Sequence, residues 1–202
     1  MNYKFTTDWF SSNEPTWKSL INEIKPKRYL EIGSYEGRSA VFMIKTATHH
    51  QDLYLHCIDT WEGGVEHDKN SMGAVESNFN HNMALATVET ESKVHLTKMK
   101  EYSNTALLKL HNQNIEKFDF IYIDGSHQAP DVLRDAVLAF DLLRVGGIMI
   151  FDDYTWAMEP LGSQDLVNSP KLAIDSFLNC YIRKFFIIRG PLYQLYLQKI
   201  KE

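Results

Sequence analysis

A chain of 202 residues, 44% of them hydrophobic, is long enough to bury one full core and short for two, so a single domain over residues 1–202 is expected. Its net charge of -5, with basic residues scattered rather than striped, argues against a nucleic-acid partner, and Cys57 and Cys180 form no Cys-x-x-Cys pair of the zinc or redox kind. Met1 to Asp8 hold no apolar core of signal-peptide length and no run is apolar enough to span a bilayer, so a cytoplasmic protein without a membrane partner is expected.

In chain order, Asn13-Glu14-Pro15 reads as the cap of a helix running through Trp17, Leu20, Ile21 and Ile24 until Pro26. A strand over Arg28 to Ile32 follows, then a turn through Gly33 and Gly37 and a helix from Arg38 to Met43. Apolar runs rich in β-branched and aromatic residues at Leu53 to Ile58, Val94 to Lys98, Phe118 to Ile123 and Ile148 to Phe151 are further strands, with helices between them. One such helix covers Asp131 to Leu143, with Val132, Leu133, Ala136, Val137 and Phe140 at helical spacing and Gly146-Gly147 beyond its end. After a helix near Leu172 to Leu178, the runs Arg183 to Arg189 and Leu192 to Lys199 flank Gly190-Pro191, a spacing that suits a hairpin. The alternation predicts an α/β fold: a Rossmann-like, doubly wound, mostly parallel seven-stranded sheet with a C-terminal antiparallel hairpin. Residues 1–27 form an N-terminal extension and first helix, 28–153 a cofactor-binding core, and 154–202 an acceptor loop and the hairpin. The irregular stretches Trp61 to Asn70 and Tyr154 to Ser169 are candidate lids.

The turn after the first strand reads Glu31-Ile32-Gly33-Ser34-Tyr35-Glu36-Gly37-Arg38-Ser39. A dinucleotide site needs Gly-x-Gly-x-x-Gly so that the backbone can approach a pyrophosphate, and here Glu31 stands in place of the first glycine. A carboxylate there repels a pyrophosphate and suits an ammonium or sulfonium cation; S-adenosyl-L-methionine carries both. The second strand ends Ile58-Asp59-Thr60-Trp61, where an acid meets both ribose hydroxyls in nucleotide-binding units. Trp61 reads equally as an adenine shelf or a core edge.

Ligands bind beyond the carboxyl ends of parallel strands, and here those ends are acidic. The fourth ends Ile123-Asp124-Gly125-Ser126-His127 and the fifth Phe151-Asp152-Asp153. Neighbouring strands lie about 4.8 Å apart, so Asp124, Asp152 and Asp153 can share a cation, and an all-oxygen set favours Mg2+, Mn2+ or Ca2+. Structural roles for these acids, capping a turn or orienting the cofactor, stand beside that reading. His127 is placed to act as a general base or to hydrogen-bond the cofactor or loop backbone. His49, His50 and His81 show no metal-ligand spacing and read as surface residues.

On Leu30-Glu31-Ile32-Gly33-x-x-x-Gly37-x-Ser39, Cys57-Ile58-Asp59-Thr60-Trp61-Glu62-Gly63, and Ile123-Asp124-Gly125-Ser126-His127 with Arg134-Asp135 and Gly146-Gly147, the chain resembles class I S-adenosylmethionine-dependent methyltransferases. The branch is that of sugar and macrolide O-methyltransferases, with the macrocin O-methyltransferase and cephalosporin-hydroxylase-like proteins. The resemblance implies that Glu31, Gly33 and Gly37 surround the methionine moiety, that Asp59 holds ribose, and that Met99 to Ser103 border adenine, although many relatives have a small residue in place of Met99. Ser34, Tyr35, Ser39, Thr60, Trp61, Asp124 and His127 complete the implied cofactor contacts. It also implies Mg2+ on Asp124, Asp152 and Asp153, and a base at His127 where metal-dependent catechol-type relatives have Lys. The expected reaction is O-methylation of a small molecule, with a carbohydrate acceptor favoured because Trp9, Trp61 or Trp156 can stack on a sugar. A homodimer is the candidate assembly. The rival readings are a nucleotide-binding oxidoreductase and a non-catalytic cofactor-binding partner protein.

Overall fold

A computed structural model describes residues 2–49, 51–90 and 92–202; His50 lies outside them. Seven strands form one sheet in the order β3-β2-β1-β4-β5-β7-β6: β1 (Arg28–Ile32), β2 (Leu53–Asp59), β3 (Val94–Lys100), β4 (Phe118–Ile123), β5 (Leu143–Phe151), β6 (Phe185–Ile188) and β7 (Leu195–Lys199). The first five are parallel, and β7 pairs antiparallel with both β5 and β6, which is the expected doubly wound sheet with a closing hairpin. Chain order reverses between β1 and β4, so the crevice beyond their carboxyl ends is where a ligand belongs.

Helices α1 (Glu14–Ile24), α2 (Arg38–Ala47) and α3 (Val75–Val88) cover one face; α4 (Ser103–Asn112), α5 (Ala129–Leu142) and α6 (Pro170–Tyr181) cover the other. Strand alternation decides which residue serves which face. Along β1, Tyr29 joins the cluster under α1 to α3, while Leu30 and Ile32 join the cluster under α4 to α6. Trp17 anchors the first cluster: it is fully buried, its ring centroid lies 4.9 Å from Tyr122 and 5.2 Å from Phe120, and its indole N–H donates to Gln194 Oε1 at 2.9 Å. Burying an aromatic of that size is worth about 3 kcal/mol.

Two boundaries differ from expectation for identifiable reasons. Pro130 sits in the first turn of α5, which therefore begins at Ala129 rather than Asp131. Gly146-Gly147 does not follow a helix end but lies inside β5, which starts at Leu143; a Cβ on Gly147 would meet Asp119 O at 2.9 Å. The hairpin connection runs from Arg189 to Gln194, longer than a two-residue turn, and delivers Tyr193 and Gln194 to the ligand end of the sheet. No helix among the described residues is long and apolar enough to cross a membrane.

Candidate active site

Gly33 forms the tight end of β1. Its φ is +83°, its N–H donates to Ile58 O at 2.9 Å, and the Asp124 N–H donates to Ile32 O at 2.8 Å, so the ends of β2, β1 and β4 are stitched together there. Asp59 locks the turn: Oδ2 accepts from the Ser34 and Tyr35 amides at 2.8 Å each, and Oδ1 accepts from the Trp61 amide at 2.6 Å. A carboxylate offers about four acceptor positions, so one remains for a ribose hydroxyl rather than the two contacts expected. Ser34 Oγ is buried beside this turn, facing the Glu31 carboxyl.

A cleft of about 1080 Å3 opens above the sheet, larger than the usual site for one drug-sized ligand and roomy enough for two. Gly33, Ser34, Tyr35, Ser39, Asp59, Thr60, Ser103, Asp124, His127, Asp152 and Asp153 line it; Glu31, Gly37, Trp61 and Met99 do not. Glu31 follows Tyr29 on the α1 to α3 face by the period of two, where it is fully buried and accepts from the Tyr29 hydroxyl. Burial pushes its pKa up to about 7 against the opposing pull of Tyr29, Ser34 and Ser39. It therefore supports the turn from below instead of facing the ligand. Gly37 is favoured by its backbone, at φ +79°, rather than by ligand contact. Trp61 resolves as core: its indole N–H donates to Tyr35 O at 2.9 Å, its ring packs on Phe79, and Lys98 Nζ lies 4.3 Å from the ring centroid. Met99 packs into the apolar cluster on the α4 to α6 face; of the stretch Met99 to Ser103, Glu101, Tyr102 and Ser103 line the cleft, with Asn104 beside them.

At the ends of β4 and β5 the acids crowd together. Burial, and then repulsion from Asp152 and Asp153, raises the Asp124 pKa well above the carboxylate range. Burial and Asp153 push Asp152 up to about 6. The Tyr122 hydroxyl approaches Asp124 Oδ2 at 3.0 Å and also donates to Asp152 Oδ2, and its single proton can serve only one of them. Asp153 carries φ +56°, an unusual value for a non-glycine residue, which turns its carboxylate to His127 Nε2 at 2.6 Å. On the other side His127 Nδ1 makes a 3.3 Å ion pair with Glu66 Oε1, and the Trp156 ring lies 4.4 Å from the imidazole. Burial alone would lower the His127 pKa, but Asp153 and Glu66 outweigh it and raise it to about 10. An imidazolium is no base, so the expected role needs those carboxylates drawn away.

One ligand atom each of Asp124, His127 and Asp153 lies within 4.8 Å of the others. Asp152 is turned instead to Tyr122 and to the Asp153 amide. The oxygen donors of these crowded acids fit a hard divalent cation, which would relieve their mutual repulsion.

Sequence reading missed three contributors. Glu66 and His67 lie within the stretch flagged as a lid, but nothing singled them out; Tyr193 comes from the hairpin connection. Trp9 reaches the cleft because the segment before it is strapped down, with the Thr6 amide donating to Glu36 Oε2 at 2.6 Å and Arg38 Nη2 to Thr7 O at 2.8 Å. His81 meets Asn2 O at 3.0 Å on the surface.

Asp135 of the Arg134-Asp135 pair lies beneath the cleft floor, 1% exposed, with Oδ1 unpartnered. Burial raises its pKa to about 7, with Ser103 and Arg134 opposing. A folded-state pKa above the unfolded value of about 4 means that stability is lost as pH rises from about 4 to 7 and stays lost above. Asp135→Asn is therefore expected to gain several degrees in melting temperature, relative to native, at pH 8 compared with pH 4.5. A mutant-to-native difference that is the same at both pH values would refute this.

A family model described as a methyltransferase domain matches residues 30–154. Among curated proteins, an uncharacterized protein of Acanthamoeba polyphaga mimivirus is 25% identical over 127 residues, which cover 62% of this chain and about half (51%) of that protein. Solved structures give a fold likeness. An O-methyltransferase from Bacillus cereus in complex with SAH aligns over 98% of this chain and 84% of its own, at TM-score 0.66 and 16% identity. The O-methyltransferase NovP aligns over 94% and 79%, at TM-score 0.70 and 16% identity. The MycE methyltransferase of the mycinamycin pathway, in complex with Mg, SAH and mycinamycin VI, aligns over 96% and 51%, at TM-score 0.62 and 15% identity.

Proposed function

Because the chain belongs to the methyltransferase-domain family, we propose that it moves the sulfonium methyl of S-adenosylmethionine to a hydroxyl of a small molecule, a sugar or glycoconjugate, with a divalent cation in the site. The observation that carries this reading is one cleft in which the Gly33 turn meets Asp124, His127 and Asp153. The Bacillus cereus structure in complex with SAH and the MycE structure in complex with Mg and SAH support the same reading. Trp156, against His127, and Trp9 supply aromatic faces in the cleft, which favours a carbohydrate.

In this reading the Gly33 turn, held by Asp59, fixes the donor. The acceptor oxygen lies over the β4 and β5 ends, in line with the departing sulfur. As the carbon–oxygen bond forms and the carbon–sulfur bond breaks, His127 takes the hydroxyl proton. Asp124 and Asp153 would hold Mg2+, Mn2+ or Ca2+, with Asp152 joining them once it turns from Tyr122, and the cation when bound lowers the pKa of a coordinated hydroxyl. Products are the methyl ether and S-adenosylhomocysteine, with the proton left on His127.

Calorimetric titration of S-adenosylmethionine and S-adenosylhomocysteine, with Mg2+ or with chelator, on native protein and Asp152→Asn, tests this. Both ligands are expected to bind the native protein, and Mg2+ binding is expected to weaken about tenfold or more in Asp152→Asn. No binding of either nucleoside would end the methyltransferase reading; Mg2+ binding indifferent to Asp152→Asn would leave Asp152 a structural acid.

A further inference from the structure

The segment after β2 makes most of its hydrogen bonds within itself, through Gly64, His67 and the Asp68 cap of a short 3-10 helix at Lys69–Ala74, and few to the rest of the protein. Its ends are pinned by the buried side chains of Trp61 and Met72, yet between them, over residues 62–71, only Glu66 and His67 are less than exposed. Gly63, at φ +80°, and Gly64 give the backbone freedom near the first pinned end. Whether such a segment lies open or shut is decided by the few contacts its tucked side chains make.

Those contacts cross the cleft. Glu66 Oε1 lies 3.3 Å from His127 Nδ1, an ion pair without hydrogen-bond geometry, and 2.8 Å from His67 Nδ1, which also accepts from the Gly64 amide at 3.1 Å; among the described residues Glu66 Oε2 has no partner. His67 stacks on Tyr35, ring centroids 5.5 Å apart, and meets the edge of Trp9 at 6.2 Å. The catch is rigid, because His127 is bound on its far side by Asp153 at 2.6 Å and covered by Trp156. Gly63, Gly64 and Val65 thus wall the same cleft as Ser34, Tyr35 and Asp59.

We propose that Glu66 is a positioning residue that, through His127, latches residues 62–71 shut over the cofactor half of the cleft, so that cofactor enters and leaves only when the Glu66–His127 contact breaks. The identity of the ligand rests on the methyltransferase reading; the latch does not. An acceptor hydroxyl that approaches His127 Nδ1 must displace the same carboxylate.

Hydrogen exchange on the ligand-free full chain tests the latch without any cofactor. Glu66→Gln is expected to speed exchange across residues 62–71 about tenfold, the size of a partly buried ion-pair loss, and to leave the sheet unchanged. Glu62→Gln, an exposed change on the same segment, is expected to stay within about twofold of native. Stopped-flow tryptophan fluorescence with S-adenosylhomocysteine should show dissociation accelerated about tenfold in Glu66→Gln. His127→Asn should match it, and the double variant should be no faster than either single one. Unchanged exchange in Glu66→Gln, or additive acceleration in the double variant, overturns the latch. Native protein that fails to bind S-adenosylhomocysteine while Glu66→Gln still speeds exchange would keep the latch and remove the cofactor assignment.

Discussion

Gly33→Ala is expected to bind no S-adenosylhomocysteine and to lose about 4 kcal/mol or more of stability, the range reserved for backbone collisions that nothing can relieve. A Cβ at this position would stand 1.8 Å from Asp124 O and 2.4 Å from Asp124 C, and backbone cannot rotate aside as a side chain does. The φ of +83° adds strain for any L side chain. Relief requires moving the end of β4 or flipping the turn. The first displaces Asp124 from the acid cluster; the second breaks the Gly33 amide bond to Ile58 O and frees Ser34 and Tyr35 from Asp59. Gly73→Ala is the control, since a Cβ there meets nothing within 4 Å. Chemical denaturation and calorimetry on both variants decide the matter. A Gly33→Ala protein with native stability and native affinity would show that the turn has more room than its geometry allows.

What could be read from the chain, and what could not, follows from the range of the interactions. Strand alternation, the Gly33 turn and the acids at the strand ends are local signals, and they located five parallel strands and the ligand end of the sheet, whereas the crevice between β1 and β4 follows from the strand order. Side-chain direction was harder. Glu31 looked like a residue facing the ligand because it ends an apolar run, yet the same period of two that buries Tyr29 also buries Glu31. Asp59 closes the second strand at the wall of the cleft, as its place in the chain suggests, but its lone pairs are mostly consumed by three amides, which only the folded turn can show. Glu66 carries no local signature at all. Its partners His67 and His127 come from its own segment and from the loop after β4, and no spacing rule joins the second of these to it. Tyr122 is similar: a strand residue by pattern, it becomes the hydroxyl shared by Asp124 and Asp152.

In chelator, His127 is expected to titrate near 10, and with saturating Mg2+ several units lower; nitrogen-edited NMR of the imidazole, referenced to His127→Ala, measures both. The reason is the placement of charge. Asp153 and Glu66 hold the two ring nitrogens and Asp124 adds its field, together overcoming a burial that would otherwise favour neutral imidazole. The folded pKa lies above the unfolded value near 6.5, so this cluster adds stability below that value, and the contribution is lost as pH rises through 10. The same sign governs catalysis in the proposed reaction. With a pKa near 10, about one molecule in a thousand has a basic His127 at pH 7. Chelated enzyme should therefore transfer methyl groups about a hundredfold or more slowly at pH 7 and recover toward pH 10. A divalent cation on Asp124 and Asp153 offsets the negative field and returns the imidazole toward neutrality at pH 7. His127→Ala should remain slow in both conditions and show no recovery with pH, while holding S-adenosylhomocysteine within about tenfold of native. A chelated native protein whose His127 titrates near 6.5 would mean that the carboxylates do not grip the ring, and the base would then be available without any cation.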